Sequence, residues 1–317
     1  MRDLGRTGMQ VTLVGLGTWA IGGGGWEFAW GPQDDERSAR TIRRAHEQGL
    51  NWIDTAPAYG TGHAEEVVGK AVQGLAPPPR VFTKVSLKWN ADRRITHSLK
   101  ANSIRAEVEA SRRRLRTSVI DLAQVHWPDP EEDIEEGWRT LADLKDRGLV
   151  RHIGVSNFDV TQMERAAAIA PVETLQPPYS LVHPEVESKI LPYARAHGIG
   201  VIVYSPMGCG LLTGAMTDDR VARMPADDWR RRDPEFHEPR LARHQALARL
   251  LAEIGERHGG RSTAEVAIAW TLANPAVTAA IVGGRSAEQV DGFAGAMTLR
   301  LTKGDLAQID AFRAQRP

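Results

Sequence analysis

The chain has 317 residues, 42% of them hydrophobic and 25% charged, so it can bury a large core. Its 40 basic and 40 acidic side chains balance, which leaves no net field for a polyanion, and we expect no nucleic-acid partner. The single cysteine, Cys209, excludes an internal disulfide and fits a reducing compartment. The sequence lacks a signal core and an apolar run of about 18 residues, so we expect a cytoplasmic protein without membrane contact.

Short apolar runs alternate with helical patterns along the chain. Residues 3–11 predict a small hairpin. Eight apolar runs predict buried strands, at residues 13–17, 52–54, 81–84, 122–126, 152–156, 174–176, 200–204 and 279–282. Helices are predicted over residues 34–49, 64–72, 103–115, 131–146, 160–168, 187–197, 241–258 and 264–273. Ser262 and Glu265 predict a capping box at the start of the last of these helices.

Eight strands that alternate with helices indicate a parallel sheet, and eight is the number that closes a barrel. We therefore predict a single (β/α)8 TIM-barrel domain over residues 1–317, with an N-terminal β-hairpin and extra C-terminal helices and loops. An open doubly wound sheet is the main alternative, and it typically carries G-x-G-x-x-G after its first strand. Here GLG at 15–17 is followed by TWA at 18–20, so the third glycine is missing, and we expect no helix to begin there.

Ionisable side chains occupy the ends of three predicted strands. Asp54 ends the second strand, Lys84 the third and His126 the fourth, while Tyr59 lies in the loop after the second. A buried carboxylate requires a cation or hydrogen-bond donors. Because active sites of barrels form at the carboxyl ends of their strands, these four side chains are predicted to face one pocket.

These four side chains suit proton chemistry. We expect the ammonium of Lys84 to lower the pKa of Tyr59, so that the phenol can both give and take a proton. Asp54 would hold Lys84 charged through a buried ion pair, and His126 can polarise a carbonyl oxygen. Delivery of a proton to oxygen complements delivery of a hydride to carbon. The histidines lack partners at metal-ligand spacing, so we expect no metal site.

Eight stretches resemble the motifs of the aldo-keto reductase family, in the family's order and over essentially the whole chain. They are GLGTWAIGG (15–23), IDTAPAYGTGHAEEVVG (53–69), TKVS (83–86), IDLAQVHWPDP (120–130), IGVSNF (153–158), LQPPYS (175–180), YSPMGCGLLTG (204–214) and IVGGRSAEQV (281–290). The resemblance implies a barrel that binds an extended NAD(P)H across its mouth and reversibly reduces aldehydes and ketones. It implies that Tyr59 is the general acid, Lys84 and Asp54 its tuning pair, and His126 the residue that orients the carbonyl.

The resemblance also implies a set of cofactor contacts. Those around the nicotinamide and its ribose are Ser156, Asn157, Gln176, Tyr204, Thr18 and Trp19, with Tyr204 stacking on the ring. Those along the pyrophosphate are Ser205, Met207, Gly208 and Leu211. Those at the adenosine end are Gly283, Arg285, Ser286 and Gln289. An adenine contact of the family is replaced here by Phe293.

The resemblance gives a divided indication of which dinucleotide is used. Many family members carry a lysine and a second arginine at the positions of Gly283 and Gln289, and these side chains grip the 2′-phosphate. Arg285, with Ser286 and a helix N-terminus behind it, can still bind a phosphate. We therefore expect NADPH (NADP⁺) as the cofactor, with NADH also used.

The sequence leaves the natural substrate and the oligomeric state open. Trp19, Tyr59 and Trp127 are expected to line the substrate pocket and to favour an apolar or aromatic carbonyl compound. Two alternative functions remain at this stage. One is a barrel aldolase in which Lys84 forms a Schiff base, which borohydride would trap. The other is an NADPH-sensing regulatory subunit similar to potassium-channel β-subunits, which would carry a partner-binding extension.

Overall fold

A computed structural model describes residues 1–315. Within this range the strands, in chain order, are β1 (Arg2–Asp3), β2 (Gln10–Val11), β3 (Val14–Gly17), β4 (Trp52–Asp54), β5 (Arg80–Val85), β6 (Leu87–Trp89), β7 (Ile95–His97), β8 (Ile120–Val125), β9 (Val150–Ser156), β10 (Thr174–Gln176), β11 (Gly200–Val203) and β12 (Ala279–Gly283). The α-helices are α1 (Asp35–Glu47), α2 (His63–Ala71), α3 (Ala101–Leu115), α4 (Ile134–Asp146), α5 (Val160–Ala167), α6 (Ile190–His197), α7 (Asp218–Ala222), α8 (Arg240–Arg257), α9 (Thr263–Ala273), α10 (Ala287–Ala294) and α11 (Lys303–Ala314).

Eight parallel strands close into a barrel in the order β3, β4, β5, β8, β9, β10, β11 and β12, and β12 pairs with β3. Each strand is linked to the next by a segment that contains a helix on the outside of the sheet, and this arrangement is the (β/α)8 TIM barrel predicted from the sequence. The hairpin β1–β2 is confirmed as well. Its Leu4 and Val11 pack into the barrel against Trp52, Phe82 and Leu122.

Among residues 1–315, six of the eleven α-helices begin where a short polar side chain accepts a hydrogen bond from an N–H group of the first turn. The carboxylate of Asp34 accepts a hydrogen bond from the Arg37 N–H at the start of α1. The predicted capping box at α9 is confirmed, because Ser262 accepts from the N–H of Glu265 while Glu265 accepts from the N–H of Ser262. The apolar residues of the helices pack with those of the barrel strands in one large core cluster.

The structure differs from the sequence prediction in two connections. A 3₁₀ helix, Trp19–Gly22, begins directly after β3, where no helix was expected. It forms because both the N–H and the Oγ of Thr18 donate to the Asp54 carbonyl at 3.0 Å, which turns the chain at the barrel rim. The antiparallel hairpin β6–β7 was not predicted either, and it stands between β5 and α3 beside the barrel mouth.

The inside of the barrel is layered, because side chains on a strand alternate between its two faces. Trp52, Phe82 and Leu122 form an apolar layer. Two residues further along the same three strands lie Asp54, Lys84 and Gln124, all almost fully buried. A polar layer therefore lies directly on the apolar one, nearer the carboxyl end of the strands.

Gly15 is required by the packing of this apolar layer. A Cβ atom at this position would lie 2.2 Å from the Trp52 indole, and the ring cannot move freely because its Nε1 donates to the Thr12 carbonyl at 3.0 Å. We predict that Gly15→Ala lowers the free energy of unfolding by about 1–3 kcal/mol, measured by urea denaturation. Gly292→Ala is the control, because nothing lies within 4 Å of that position in α10. Equal midpoints for the two variants would contradict the packing account.

Candidate active site

A cavity of about 850 Å³ opens at the carboxyl end of the barrel strands. Its wall includes Gly17, Asp54, Ser156, Gln176 and Gly283, each of which is the last residue of its strand. The position agrees with the rule that parallel barrels place their sites at this end.

The ion pair between Asp54 and Lys84 lies at the base of the cavity. The Lys84 Nζ is 2.6 Å from Asp54 Oδ1, 3.0 Å from the Thr55 carbonyl and 3.5 Å from the Tyr59 hydroxyl, so three acceptors surround a group with three donors. Burial raises the pKa of Asp54 and lowers the pKa of Lys84, and the attraction between the two charges opposes both shifts. Unlike Asp54, Tyr59 and His126, Lys84 is not part of the cavity wall.

Tyr59 faces the cavity next to this ion pair. The lowered pKa that the sequence predicted for Tyr59 is not found, because burial, and then the Asp54 carboxylate, raise that pKa well above its ordinary value. The phenol therefore keeps its proton at neutral pH. The loop that carries it is held by a close approach of Gly60 to the 3₁₀ helix, where a Cβ atom on Gly60 would lie 2.1 Å from the Gly22 carbonyl oxygen.

His126 follows β8 directly and also faces the cavity. Its ring centre is 5.8 Å from that of Tyr59, in an edge-to-face arrangement. Burial, and then the nearby charge of Lys84, lower the pKa of His126 well below its ordinary value, so the imidazole is neutral. Its Nδ1 is buried and has no hydrogen-bond partner within residues 1–315. The main chain of His126 is fixed on both sides, because its N–H donates to the Val85 carbonyl and its carbonyl accepts from Asn157.

Ser156, Asn157 and Gln176, which the family resemblance implies as contacts of the nicotinamide carboxamide, lie close together beside Asp54. Ser156 Oγ donates to the Gln176 main-chain carbonyl at 2.8 Å, and Asn157 Nδ2 donates to Ser156 Oγ at 3.1 Å. The Tyr204 hydroxyl donates to Asn157 Oδ1 at 2.9 Å. The Gln176 side-chain nitrogen donates to Asp54 Oδ2 at 2.9 Å. Its Oε1 accepts no hydrogen bond from the described part of the chain.

The remaining implied cofactor positions fall into two groups. The residues that line the cavity are Thr18, Trp19, Ser205, Met207, Gly283, Arg285 and Gln289. The others, Gly208, Leu211 and Ser286, lie outside its wall. Leu211 is buried in an apolar cluster with Met216, and Ser286 Oγ caps α10 by accepting from the Gln289 N–H.

Arg285 is bound to the segment that precedes α1. Its Nε donates to Gln33 Oε1 at 2.9 Å and its Nη1 to the Trp30 carbonyl at 2.9 Å, while its Nη2 donates to the Pro32 carbonyl. The partly buried guanidinium therefore anchors residues 30–33 at the edge of the cavity. Burial, and then the neighbouring charge of Arg230, lower its pKa.

Aromatic rings form the outer part of the cavity. Trp19 stacks on Trp229 with ring centres 5.3 Å apart, and its Nε1 donates to the Phe28 carbonyl at 3.0 Å. Trp127 and Phe28 are each 42% exposed, which is high for large apolar side chains. Both line the cavity, so its mouth presents apolar surface to an incoming molecule.

Several wall residues were missed from the sequence. Leu87, Ile95 and His97 come from the hairpin β6–β7, whose alternating sequence and polar turn were a usable signal. Arg230 also lies in the cavity wall, where a buried ion pair with Asp228 at 2.7 Å holds it. The run of three arginines at residues 230–232 gave no indication that the first of them would face the cavity.

No group of three or more His, Cys, Asp or Glu side chains arranged to hold a metal ion occurs among residues 1–315. In the same range, none of the helices has the length and apolar character needed to cross a membrane.

A parallel barrel with an ion pair, a phenol and an imidazole at its mouth defines a barrel enzyme equipped for proton transfer. The model of the Aldo/keto reductase family matches residues 13–314, so the chain belongs to this family and the predicted resemblance is confirmed. Members are NAD(P)H-dependent oxidoreductases that act on carbonyl groups, and this protein is one of them.

Known relatives cover nearly the whole chain. The aldo-keto reductase YhdN of Bacillus subtilis is 41% identical over 90% of this chain and 85% of its own length. An NADH-specific methylglyoxal reductase of Escherichia coli is 33% identical over 95% of this chain and 94% of its own. The solved structure of a glycerol dehydrogenase from Gluconobacter oxydans is 38% identical, with a TM-score of 0.88 over 98% of this chain and 94% of that one.

The buried ion pair generates a stability prediction. Lys84→Met leaves the Asp54 carboxylate buried without its cation, so we expect the free energy of unfolding to fall by about 3–5 kcal/mol. Replacing both residues, Lys84→Met with Asp54→Leu, should recover most of that loss, because no unpaired charge remains. Arg40→Met removes a pair with Glu36 that is exposed on both sides, and it should lower the free energy of unfolding far less. Guanidinium denaturation of the four proteins measures these differences, and equal losses for the Lys84 and Arg40 variants would contradict the account.

Proposed function

We propose that this protein reduces apolar or aromatic aldehydes and ketones with NADPH, reversibly, and that Tyr59 is the general acid. One observation carries the proposal. The Tyr59 hydroxyl lies 3.5 Å from Lys84 Nζ, next to His126, at the base of a cavity with an apolar mouth. A protonated phenol, a cation behind it and a neutral imidazole beside it are the groups that reduction of a carbonyl requires.

The residues have distinct tasks in this proposal. The neutral imidazole of His126 hydrogen-bonds the carbonyl oxygen and orients it towards the phenol. Tyr59, which like any tyrosine is protonated at neutral pH, gives its proton to the oxygen as negative charge develops. Lys84 stabilises the phenolate that remains, and Asp54 keeps Lys84 in place. The bound dinucleotide supplies the hydride to the carbonyl carbon.

The cavity suits a nicotinamide dinucleotide. The uncommitted Gln176 Oε1 is an acceptor for the N–H of a carboxamide, and it lies in the wall near Ser156 and Asn157. The Tyr204 ring, fixed through its hydroxyl to Asn157, supplies an aromatic face. From there the wall continues through Ser205 and Met207 to the adenosine end at Gly283, Arg285 and Gln289, with Thr18 and Trp19 at the rim.

The preference for NADPH rests on Arg285. Three of its five N–H groups are engaged by the segment before α1, and the other two remain for a 2′-phosphate at the cavity edge. Gln289 brings no charge and accepts from the Arg285 main-chain N–H at 2.8 Å. A single arginine favours NADPH without excluding NADH, which fits the existence of an NADH-specific relative.

Lys84 is a poor candidate for Schiff-base formation. It is fully buried, it lies outside the cavity wall, and its amine is directed at three acceptors of the protein. A carbonyl carbon in the cavity would meet Tyr59 and His126 first. The geometry therefore favours reduction over the aldolase alternative, and nothing in the described residues favours a regulatory subunit.

We propose further that the chain acts as one barrel domain and is cytoplasmic. The strands that close the barrel extend from Val14 to Gly283, so most of the chain is needed for closure. Residues 316–317 of the predicted domain lie outside the described range. The single cysteine supports a reducing compartment.

The role of Tyr59 can be tested by removing one oxygen atom. Tyr59→Phe should reduce kcat for an aromatic aldehyde on the order of 10²-fold or more, because the proton donor is lost. NADPH binding, followed by quenching of tryptophan fluorescence, should stay within about twofold, since the ring still fills its place. Tyr193→Phe on α6 is the matched control. Activity of Tyr59→Phe close to wild type would exclude the assigned role.

The role of Arg285 can be tested with both dinucleotides. Arg285→Ala should weaken NADPH about tenfold more than NADH, because only NADPH carries the 2′-phosphate. Gln33→Leu removes one anchor of the same segment and keeps the charge, so it should affect both dinucleotides equally. Fluorescence titration of wild-type protein and the two variants with both dinucleotides gives the six dissociation constants. If Arg285→Ala weakens both dinucleotides to the same extent, Arg285 is only an anchor.

A further inference from the structure

Gln124 has no part in the proposed chemistry, yet it lies fully buried inside the barrel. It is in the polar layer of β8, where bulky aliphatic side chains usually fill a barrel of this kind. A buried amide lowers stability unless its donors and acceptor are paired. The hydrogen-bond partners of Gln124 therefore indicate what this side chain does in the barrel.

The hydrogen bonds of Gln124 lead towards the ion pair. Its Nε2 donates to Thr174 Oγ1 at 3.2 Å, and its Oε1 accepts from Gln176 Nε2 at 2.8 Å. Gln176 Nε2 also donates to Asp54 Oδ2 at 2.9 Å, and Asp54 Oδ1 accepts from Lys84. These five residues form a continuous chain of hydrogen bonds across the barrel interior.

The contact between Gln124 and Thr174 requires a glycine. In the sheet register Gln124 on β8 is level with Gly154 on β9, which is level with Thr174 on β10. Gly154 has no side chain, so the Gln124 amide can reach across β9. A Cβ atom at Gly154 would lie 1.9 Å from Thr174 Oγ1.

The orientation of both amides follows from the chemistry of Asp54. A carboxylate only accepts hydrogen bonds, so the atom of Gln176 that faces it must be the nitrogen. The second hydrogen of that nitrogen then needs an acceptor, which is Gln124 Oε1. As a result Gln176 can offer the cavity only its Oε1, which accepts and cannot donate.

We propose that Gln124 is a positioning residue: by fixing the Gln176 amide it sets the direction of the nicotinamide carboxamide and keeps an N–H donor on Asp54. This inference rests on the proposed function, because it places the nicotinamide against Gln176. Gln124 touches neither cofactor nor substrate, and it acts through Gln176. Without Gln124 the Gln176 nitrogen still faces Asp54, but the amide is held by that one hydrogen bond, so its plane and the direction of its Oε1 are no longer fixed.

The test compares two oxidised dinucleotides, NADP⁺ and its 3-acetylpyridine analogue, in which a methyl group replaces the carboxamide NH₂. Wild-type protein should bind the analogue about five- to tenfold more weakly, since a methyl group cannot donate to Gln176 Oε1. In Gln124→Met, which has a similar volume and no acceptor, this difference should fall to within about twofold. Titration of tryptophan fluorescence gives the four constants without turnover.

Two variants separate positioning from a general loss of structure. Gln124→Glu keeps an oxygen acceptor towards Gln176 and should retain the wild-type discrimination. Thr271→Val removes a buried hydroxyl of α9, remote from this chain of hydrogen bonds, and should also retain it despite a lower melting temperature. Gln124→Leu provides the same comparison if the methionine variant does not fold.

The outcomes distinguish the inference from the function on which it rests. Failure of wild-type protein to bind either dinucleotide would overturn the proposed cofactor site, and the inference with it. Absence of discrimination in wild-type protein would overturn the contact between Gln176 Oε1 and the carboxamide, and the inference with it. Undiminished discrimination by Gln124→Met would overturn the role of Gln124 alone. The role of Gln124 would also be overturned if Thr271→Val lost the discrimination to the same extent, because the effect would then reflect only a lower stability of the protein.

Discussion

The buried ion pair between Lys84 and Asp54 is the interaction on which the rest of the site depends. Removing two charges from water is unfavourable, and such a pair is tolerated only where good geometry and further hydrogen bonds compensate for the lost solvation. Here Asp54 receives the Gln176 amide in addition to Lys84, and Lys84 is directed at Thr55 as well. All the partners come from strand ends or the turns after them, so closure of the barrel is what holds the charges together.

The layered interior explains how one barrel can be both stable and reactive. The apolar layer of Trp52, Phe82 and Leu122 supplies the packing, and the polar layer two residues further on contains the buried ion pair. Burial keeps the His126 imidazole neutral, and the Tyr59 phenol beside it is protonated at neutral pH. Loops beyond the strands then add the aromatic mouth, which determines what can reach that centre.

Much of this arrangement could be predicted because short local patterns in the sequence determine it. Asp54 and His126 at the ends of apolar runs, and Tyr59 in the turn between strand and helix, were sufficient to predict a common pocket. The direction of the Tyr59 pKa shift was not predictable, because it depends on how completely the folded chain removes water. The contacts of Arg285 were not predictable either. Its partners at residues 30–33 are some 250 positions away in the sequence and come from a loop with no repeating pattern. Gln124, a lone amide in the apolar run IDLAQV, was a visible signal whose meaning required the register with Gly154.

The central claim is that the cavity beside the buried ion pair binds a nicotinamide dinucleotide and uses it to reduce a carbonyl compound. The most direct measurement is a single turnover, in which wild-type protein saturated with one equivalent of NADPH is mixed with excess aromatic aldehyde and the nicotinamide absorbance is followed. The account predicts loss of one NADPH per chain and formation of the matching amount of alcohol. Persistence of bound NADPH in the presence of the whole range of apolar and aromatic carbonyl compounds would contradict it.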